Sequence, residues 1–152
     1  YDFNDGSVGR YDGLLISSGP GNPEFCTATI SHIRHTMTLG KPIFGICMGH
    51  QLLAMAAGAK TFKLKYGHRS HNQPVKATDS NRCYITAQNH GYAVDTTTLS
   101  KDWEPIFTNM NDGTNEGIRH KSKKFFSTQF YPDMTENPKD TSYLFDIFLT
   151  EL

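Results

Sequence analysis

A cysteine flanked by two glycines, Gly45-Ile46-Cys47-Met48-Gly49, is the first place in this chain where residue type and spacing suggest chemistry. It follows the apolar run Lys41–Ile46 (KPIFGI) and precedes Met48–Ala57, a stretch of helix formers that stops at Gly58. A G-x-C-x-G junction of this kind is the thiol counterpart of the strained serine turn that thrusts a nucleophile out between a strand and a helix. Glycines two residues away remove the bulk that would block the bend. The helix N-terminus favours a thiolate, and the backbone N–H of Met48 would point at a developing oxyanion. The same five residues also suit a buried structural cysteine beside a helix-packing glycine, and the pattern alone leaves both readings open.

The elements that must position this cysteine follow from hydrophobic patterning. Tyr11–Ser17 reads as a short buried strand, closed by Ser18-Gly19-Pro20-Gly21-Asn22-Pro23, whose turn chemistry forbids both helix and ladder. Ile30, Ile33 and Met37 fall at helical spacing, with Gly40 as a C-terminal stop. Lys41–Ile46 is a second strand with its proline at the entry. Lys60 to Val75 is polar with scattered aromatics and reads as short strands and loops. Tyr84–Ala87 and Phe125–Phe130 are further strand candidates, and Asp140 can cap a last helix through Leu144, Ile147 and Phe148. Strands alternating with helices predict an α/β domain with a mainly parallel sheet.

Composition narrows the partners. The 152 residues carry 15 Lys+Arg against 15 Asp+Glu, a balance that argues against capture by nucleic acid or an anionic membrane. No run approaches the ~18 apolar residues of a membrane-spanning helix. Three cysteines, Cys26, Cys47 and Cys83, suit a reducing compartment better than a disulfide framework, and Cys26 and Cys83 lack any activating motif. Of seven histidines, His32 and His35 read as surface residues. His68-x-x-His71 has no cysteine or carboxylate close by to complete a ligand set, so a polar loop is preferred and no metal site is expected.

The longer string Phe44-Gly45-Ile46-Cys47-Met48-Gly49-His50-Gln51 resembles the nucleophile motif of the class I (triad-type) glutamine amidotransferases, and Ser18-Gly19-Pro20-Gly21 resembles their oxyanion loop. Gln88-Asn89-His90-Gly91-Tyr92-Ala93-Val94-Asp95 resembles a segment of the glutaminase domain of carbamoyl phosphate synthetase. Asn72-Gln73-Pro74-Val75 and Thr114-Asn115-Glu116-Gly117-Ile118 are similar to that branch in its eukaryotic form. The resemblance implies a flavodoxin-like layered fold, with residues 1–10 an irregular lead-in and 11–152 a partial glutaminase domain lacking early strands. Such a fragment would expose a raw sheet edge and dissolve poorly.

The resemblance further implies L-glutamine as substrate and Cys47 as nucleophile. Gly19, Gly21 and Met48 would shape the oxyanion site, while Gln51, Asn89, Gly91 and Tyr92 would hold the α-amino and α-carboxylate ends. Read singly, Gln51 also suits a solvated helix position and Asn89-His90-Gly91 an ordinary turn. No cofactor is expected in this domain. ATP and Mg would belong to a large synthetase portion, the expected partner, fused or separate. The compartment expected is the cytoplasm, or alternatively the mitochondrial matrix.

The family's third motif has the form Q-F-H-P-E, in which the histidine is the base and the glutamate orients it. Here the string is Gln129-Phe130-Tyr131-Pro132-Asp133. Tyr131 stands at the histidine position and Asp133 at the glutamate position. A phenol of ordinary pKa ~10 is a poor base at neutral pH. The expectation is a glutaminase-type domain with weak or absent hydrolysis, unless His50 or His90 substitutes. The competing expectation is a non-catalytic domain that binds glutamine or scaffolds an ammonia-using synthetase.

Overall fold

A computed structural model describes residues 11–134 and 140–152. The expected lead-in 1–10 and residues 135–139 lie outside the described residues. Seven strands form one sheet: β1 (Leu14–Ile16), β2 (Ile43–Ile46), β3 (Lys60–Ala77), β4 (Cys83–Asp95), β5 (Trp103–Asn109), β6 (Asn115–His120) and β7 (Phe125–Thr128). The helices are α1 (Thr27–Thr38), α2 (Met48–Ala56) and α3 (Tyr143–Glu151). In space the strands run β1-β2-β7-β6-β5-β3-β4.

The α/β class and the parallel core are as the sequence implies. β1, β2 and β7 are mutually parallel, and α1 and α2 follow the first two of them along the chain. The sheet as a whole is mixed rather than mainly parallel, because β6, β5, β3 and β4 join through antiparallel ladders. β2 lies between two neighbours and is buried at all four residues, which its apolar Ile-Phe-Gly-Ile sequence permits. Successive side chains point to opposite faces. Ile43 and Phe125 therefore enter one core with Ile30, Ile33, Leu52 and Leu53 from α1 and α2. Phe44 and Phe126 enter another with Leu144 and Phe148 of α3, the two rings stacked at 4.4 Å between centroids.

Helix ends follow the predicted punctuation. Gly40 (φ 69) and Gly58 (φ 94) take the left-handed conformation just past α1 and α2. At α3 the N-cap is Ser142 rather than Asp140. The expected short strands and loops of 60–75 are instead one 18-residue strand, β3, paired to β4 with register breaks between Lys63 and His68 and between Ser70 and Gln73. β4 extends well beyond the expected Tyr84–Ala87, and Asn89-His90-Gly91 lies inside it rather than in a turn.

Candidate functional site

Cys47 has the backbone of a strained elbow, with φ 56 and ψ −104 between β2 and α2. A non-glycine residue held there costs about 1–3 kcal/mol, so its surroundings must impose it. Two constraints are visible. The Cys47 N–H donates to the Thr128 carbonyl at the end of β7, 2.8 Å away. The flanking glycines permit an approach no side chain would allow. A Cβ at Gly49 would lie 2.1 Å from the Ile16 carbonyl oxygen, and one at Gly45 would lie 2.5 Å from the Gly49 oxygen.

The thiol does not gain the lowered pKa that the helix N-terminus suggested. Burial pushes it up, outweighing hydrogen bonds from the Tyr131 side chain, the Met48 backbone and Gln129. Cys47 is 2% exposed and its thiol faces the Asn89 carbonyl at 3.8 Å.

Above the thiol lies a cavity of about 710 Å³. Every expected site residue except Asp133 lines it: Gly19 and Gly21 from the loop after β1, Cys47, Met48 and Gln51 from the elbow and α2, Asn89, Gly91 and Tyr92 from β4, and Tyr131. Gln51 is not a solvated helix residue. It is 2% exposed, and its amide N–H groups donate to the Tyr92 carbonyl (2.9 Å) and the Gln129 side-chain oxygen (3.0 Å). With both N–H groups committed, its carbonyl oxygen is the atom left to meet an ammonium group.

The sequence missed two cations, Lys63 and Arg69, on the cavity wall. Between them β3 bulges through Gly67 (φ 72), where a Cβ would come within 2.6 Å of the His90 carbonyl. The Arg69 guanidinium then folds back to donate to the Tyr66 carbonyl at 2.7 Å. The one available hint was a glycine set in a polar, aromatic-bearing stretch.

At the proton-transfer corner, the Tyr131 N–H donates to the Ala87 carbonyl at 3.1 Å, which fixes the residue by its backbone. Its hydroxyl hydrogen-bonds with Cys47 and Ser18, and burial beside the thiol pushes its pKa up to about 12. At neutral pH it is a donor, not a base. Asp133 is exposed and does not line the cavity.

The histidines offered as substitutes are committed elsewhere. His50 is fully buried, bonded through Nδ1 to the Ser127 hydroxyl at 2.8 Å, and burial pulls its pKa down to about 3. His90 lines the cavity, yet its Nδ1–H donates to the Tyr92 carbonyl and its Nε2 faces the Gln88 side-chain oxygen, each at 2.8 Å. Burial lowers its pKa to about 4. Among the remaining candidates, His35 and His71 are exposed and His32 is half-buried. Cys26 sits at the edge of the core under α1, Cys83 is exposed, and all three cysteines are free thiols. No helix among the described residues is long and apolar enough to cross a membrane.

Comparison with known proteins agrees with this geometry. The pattern of the glutamine amidotransferase class-I family matches residues 2–150, and the chain belongs to that family. It is 57% identical over 141 residues to the carbamoyl phosphate synthase arginine-specific small chain of Aspergillus niger, covering 92% of this chain and 31% of that protein. It is 51% identical over 153 residues to the multifunctional protein pyrABCN of Emericella nidulans, covering all of this chain and 7% of that one. The chain thus spans about a third of the small chains it matches. A crystal structure of a glutamine amidotransferase from Thermotoga maritima superposes with a TM-score of 0.66 at 20% identity, over 91% of this chain and 65% of that one, a likeness of fold.

Proposed function

From membership of that family we propose that this chain is the glutamine-binding, glutaminase-type portion of a carbamoyl phosphate synthetase, with hydrolysis of glutamine strongly reduced. L-glutamine is the ligand, and a synthetase portion, fused or separate, is the partner that would consume any ammonia. The names of the curated relatives support the synthetase assignment, and the term arginine-specific supports arginine supply as the pathway. ATP and Mg belong to the synthetase reaction rather than to the chemistry of this cavity.

The observation that carries the reading is the contrast between a complete elbow at Cys47 and a phenol at Tyr131. Hydrolysis requires the thiolate to attack the carboxamide carbon, ammonia to leave with a proton, and water to cleave the resulting thioester. In this reading the Met48 N–H and the Gly19–Gly21 loop receive the oxyanion and Gln51, Asn89, Gly91 and Tyr92 the amino-acid end, which their shared position on the cavity lining supports. Among the described residues, no group at the cavity is suited to take the thiol proton. Tyr131 holds its own proton to about pH 12, and Asp133 is exposed to solvent. Tyr131 can protonate departing ammonia but cannot create the nucleophile.

A second reading, a purely glutamine-binding or scaffold domain, is favoured by the same two groups: the raised thiol of Cys47 and the phenol beside it. One experiment separates them. Ammonia release and glutamine binding are measured on the purified chain and on the Tyr131→His, Asp133→Glu double variant. Weak but glutamine-dependent release that rises steeply in the double variant supports the impaired glutaminase. Binding without release in either protein supports the scaffold, and release at an ordinary glutaminase rate by the unaltered chain removes both.

A further inference from the structure

Behind the cavity wall, where β3 and β4 cross, four polar side chains from three strands converge in the interior. His68 of β3 and His90 of β4 are register partners, and Glu116 of β6 lies beneath them. All three are buried, Glu116 completely. One ring nitrogen of His68, one of His90 and a Glu116 carboxylate oxygen lie within 4.8 Å of one another. His68 Nδ1 is 3.4 Å from Glu116 Oε1. The Gln88 side-chain oxygen joins them, 3.1 Å from His68 Nδ1 and 2.8 Å from His90 Nε2. We propose that His68, His90 and Glu116, with the Gln88 side-chain oxygen as fourth donor, bind one divalent transition-metal ion of the zinc type.

Three independent features point the same way. First, the outward nitrogen of each ring is already held by an acceptor. His68 Nε2–H donates to Asp112 Oδ2 at 2.8 Å, and His90 Nδ1–H donates to the Tyr92 carbonyl at 2.8 Å. That is the outer-shell pattern of metal-bound histidines, in which a carboxylate or backbone carbonyl fixes the tautomer and turns the other nitrogen inward. Asp112 is itself fixed, since its Oδ1 accepts from the Thr114 N–H (3.0 Å) and hydroxyl (2.7 Å).

Second, two lone pairs in the cluster oppose each other. Once His90 Nδ1 carries the ring proton, Nε2 is a lone pair facing the Gln88 oxygen. Turning Gln88 over relieves this only if the Thr86 hydroxyl gives up its bond to the Gln73 carbonyl. The Gln88 NH₂ donates to the Thr86 hydroxyl (3.1 Å), whose own proton goes to the Gln73 carbonyl (2.9 Å). A cation converts two opposed lone pairs into two ligands.

Third, the fully buried Glu116 accepts from Asn109 Nδ2 at 2.8 Å through Oε1, while its Oε2 makes no hydrogen bond. A buried carboxylate oxygen without a partner is costly, and the positive charge beside it is the His68 ring, 3.4 Å from Oε1 and raised to a pKa of about 9 by Glu116 and Asp112, which a bound cation would replace.

Two imidazoles and two oxygens form a tetrahedral zinc-type donor set, whose ligand atoms stand about 3.3 Å apart at bond lengths of about 2.0–2.2 Å. The separations of 2.8, 3.1 and 3.4 Å already suit it. The remaining pairs among His68, His90 and Glu116 need to close by at most about 1.5 Å, which side-chain rotation supplies. Binding displaces any proton shared between His68 and Glu116. The ion would fix His90, and with it Asn89 and Gly91 on the cavity wall, whether or not glutamine is hydrolysed. The His68-x-x-His71 spacing concealed this site, because the true neighbours of His68 come from β4 and β6 and His71 is exposed.

The test uses the full 152-residue chain, stripped with chelator, desalted and titrated with Co²⁺ and then Zn²⁺. The expected result is one cobalt per folded chain, visible absorption bands of a four-coordinate ion, displacement by zinc and a raised unfolding midpoint. His68→Asn should abolish the bands. Asp112→Asn, at a partly exposed position that preserves folding, should weaken cobalt about 10-fold or more. His71→Ala and Cys47→Ser should leave binding unchanged. A folded chain that retains no cobalt overturns the proposal. So does cobalt that is lost in Cys47→Ser and kept in His68→Asn, which would put the ion on the thiol.

Discussion

β2 and β7 are adjacent parallel strands that lead to the same cavity, β2 directly into Cys47 and β7 by way of Gln129 and Phe130 into Tyr131. This is where open α/β sheets place ligands, at the carboxyl ends of their strands. The two corners differ in what holds them. The β2 corner depends on side-chain absence: Gly45 and Gly49 admit backbone contacts that any Cβ would prevent, and they hold Cys47 at φ 56. The β7 corner is held by backbone, through the Tyr131 N–H to the Ala87 carbonyl, a bond that does not depend on which side chain stands there. Shape and proton transfer are thus separable here: the elbow geometry stands at one corner and a phenol at the other.

The strongest challenge to that contrast is Gly49→Ala. Its Cβ would meet the Ile16 backbone at 2.1 Å, so urea unfolding should show a loss of about 4 kcal/mol or more, or no folded protein. Gly58→Ala, at φ 94 with open space around it, should cost only about 1 kcal/mol. Equal losses would mean that glycine clearance does not define the elbow. Next in size is the Tyr131→His, Asp133→Glu double variant, expected to raise ammonia release by about 10³-fold with unfolding free energy within about 1 kcal/mol of the parent. A large stability change there would tie the β7 corner to packing after all. Smaller again is Arg69→Ala, which removes a cation from the cavity wall. Calorimetry should show glutamine binding weakened by about 10-fold, as for loss of one charge-assisted hydrogen bond.

The parallel half was legible because its signals are local. Apolar runs such as Ile43–Ile46 and glycine stops at Gly40 and Gly58 report burial and termination within a few residues. The antiparallel half was not, because its strands are set by distant partners. Asn89-His90-Gly91 has turn composition, yet Asn89 and His90 pair with Arg69 and His68, and that pairing overrides local preference. β5 and β6 were overlooked, since Pro105 interrupts one and Asn115-Glu116 opens the other with side chains that are usually exposed. Motif resemblance singled out Gly19, Gly21, Cys47, Met48, Gln51, Asn89, Gly91, Tyr92 and Tyr131, which the fold brings to one cavity. Lys63, Arg69 and the buried Glu116 carry no motif, and only the bulge at Gly67 and the interior position of β6 give them meaning.

The smallest expected effect tests the link between the two corners directly. Burial raises the Cys47 pKa above its ordinary 9.0, and the Tyr131 hydroxyl opposes this by donating to the thiolate. A raised thiol pKa means a smaller thiolate fraction at neutral pH, so alkylation of Cys47 by iodoacetamide should be slow at pH 7 and still climbing past pH 9. Subtracting the Cys47→Ser background isolates its rate from those of Cys26 and Cys83. Tyr131→Phe removes the donor and keeps the ring, so the thiolate becomes less stable and the rate at a given pH below the midpoint should fall several-fold. Tyr131→His should act in the opposite sense, because an imidazolium beside the sulfur stabilises its charge. If Tyr131→Phe instead leaves the profile unmoved, the phenol does not touch the nucleophile chemically, and the β7 corner closes the cavity only by filling space.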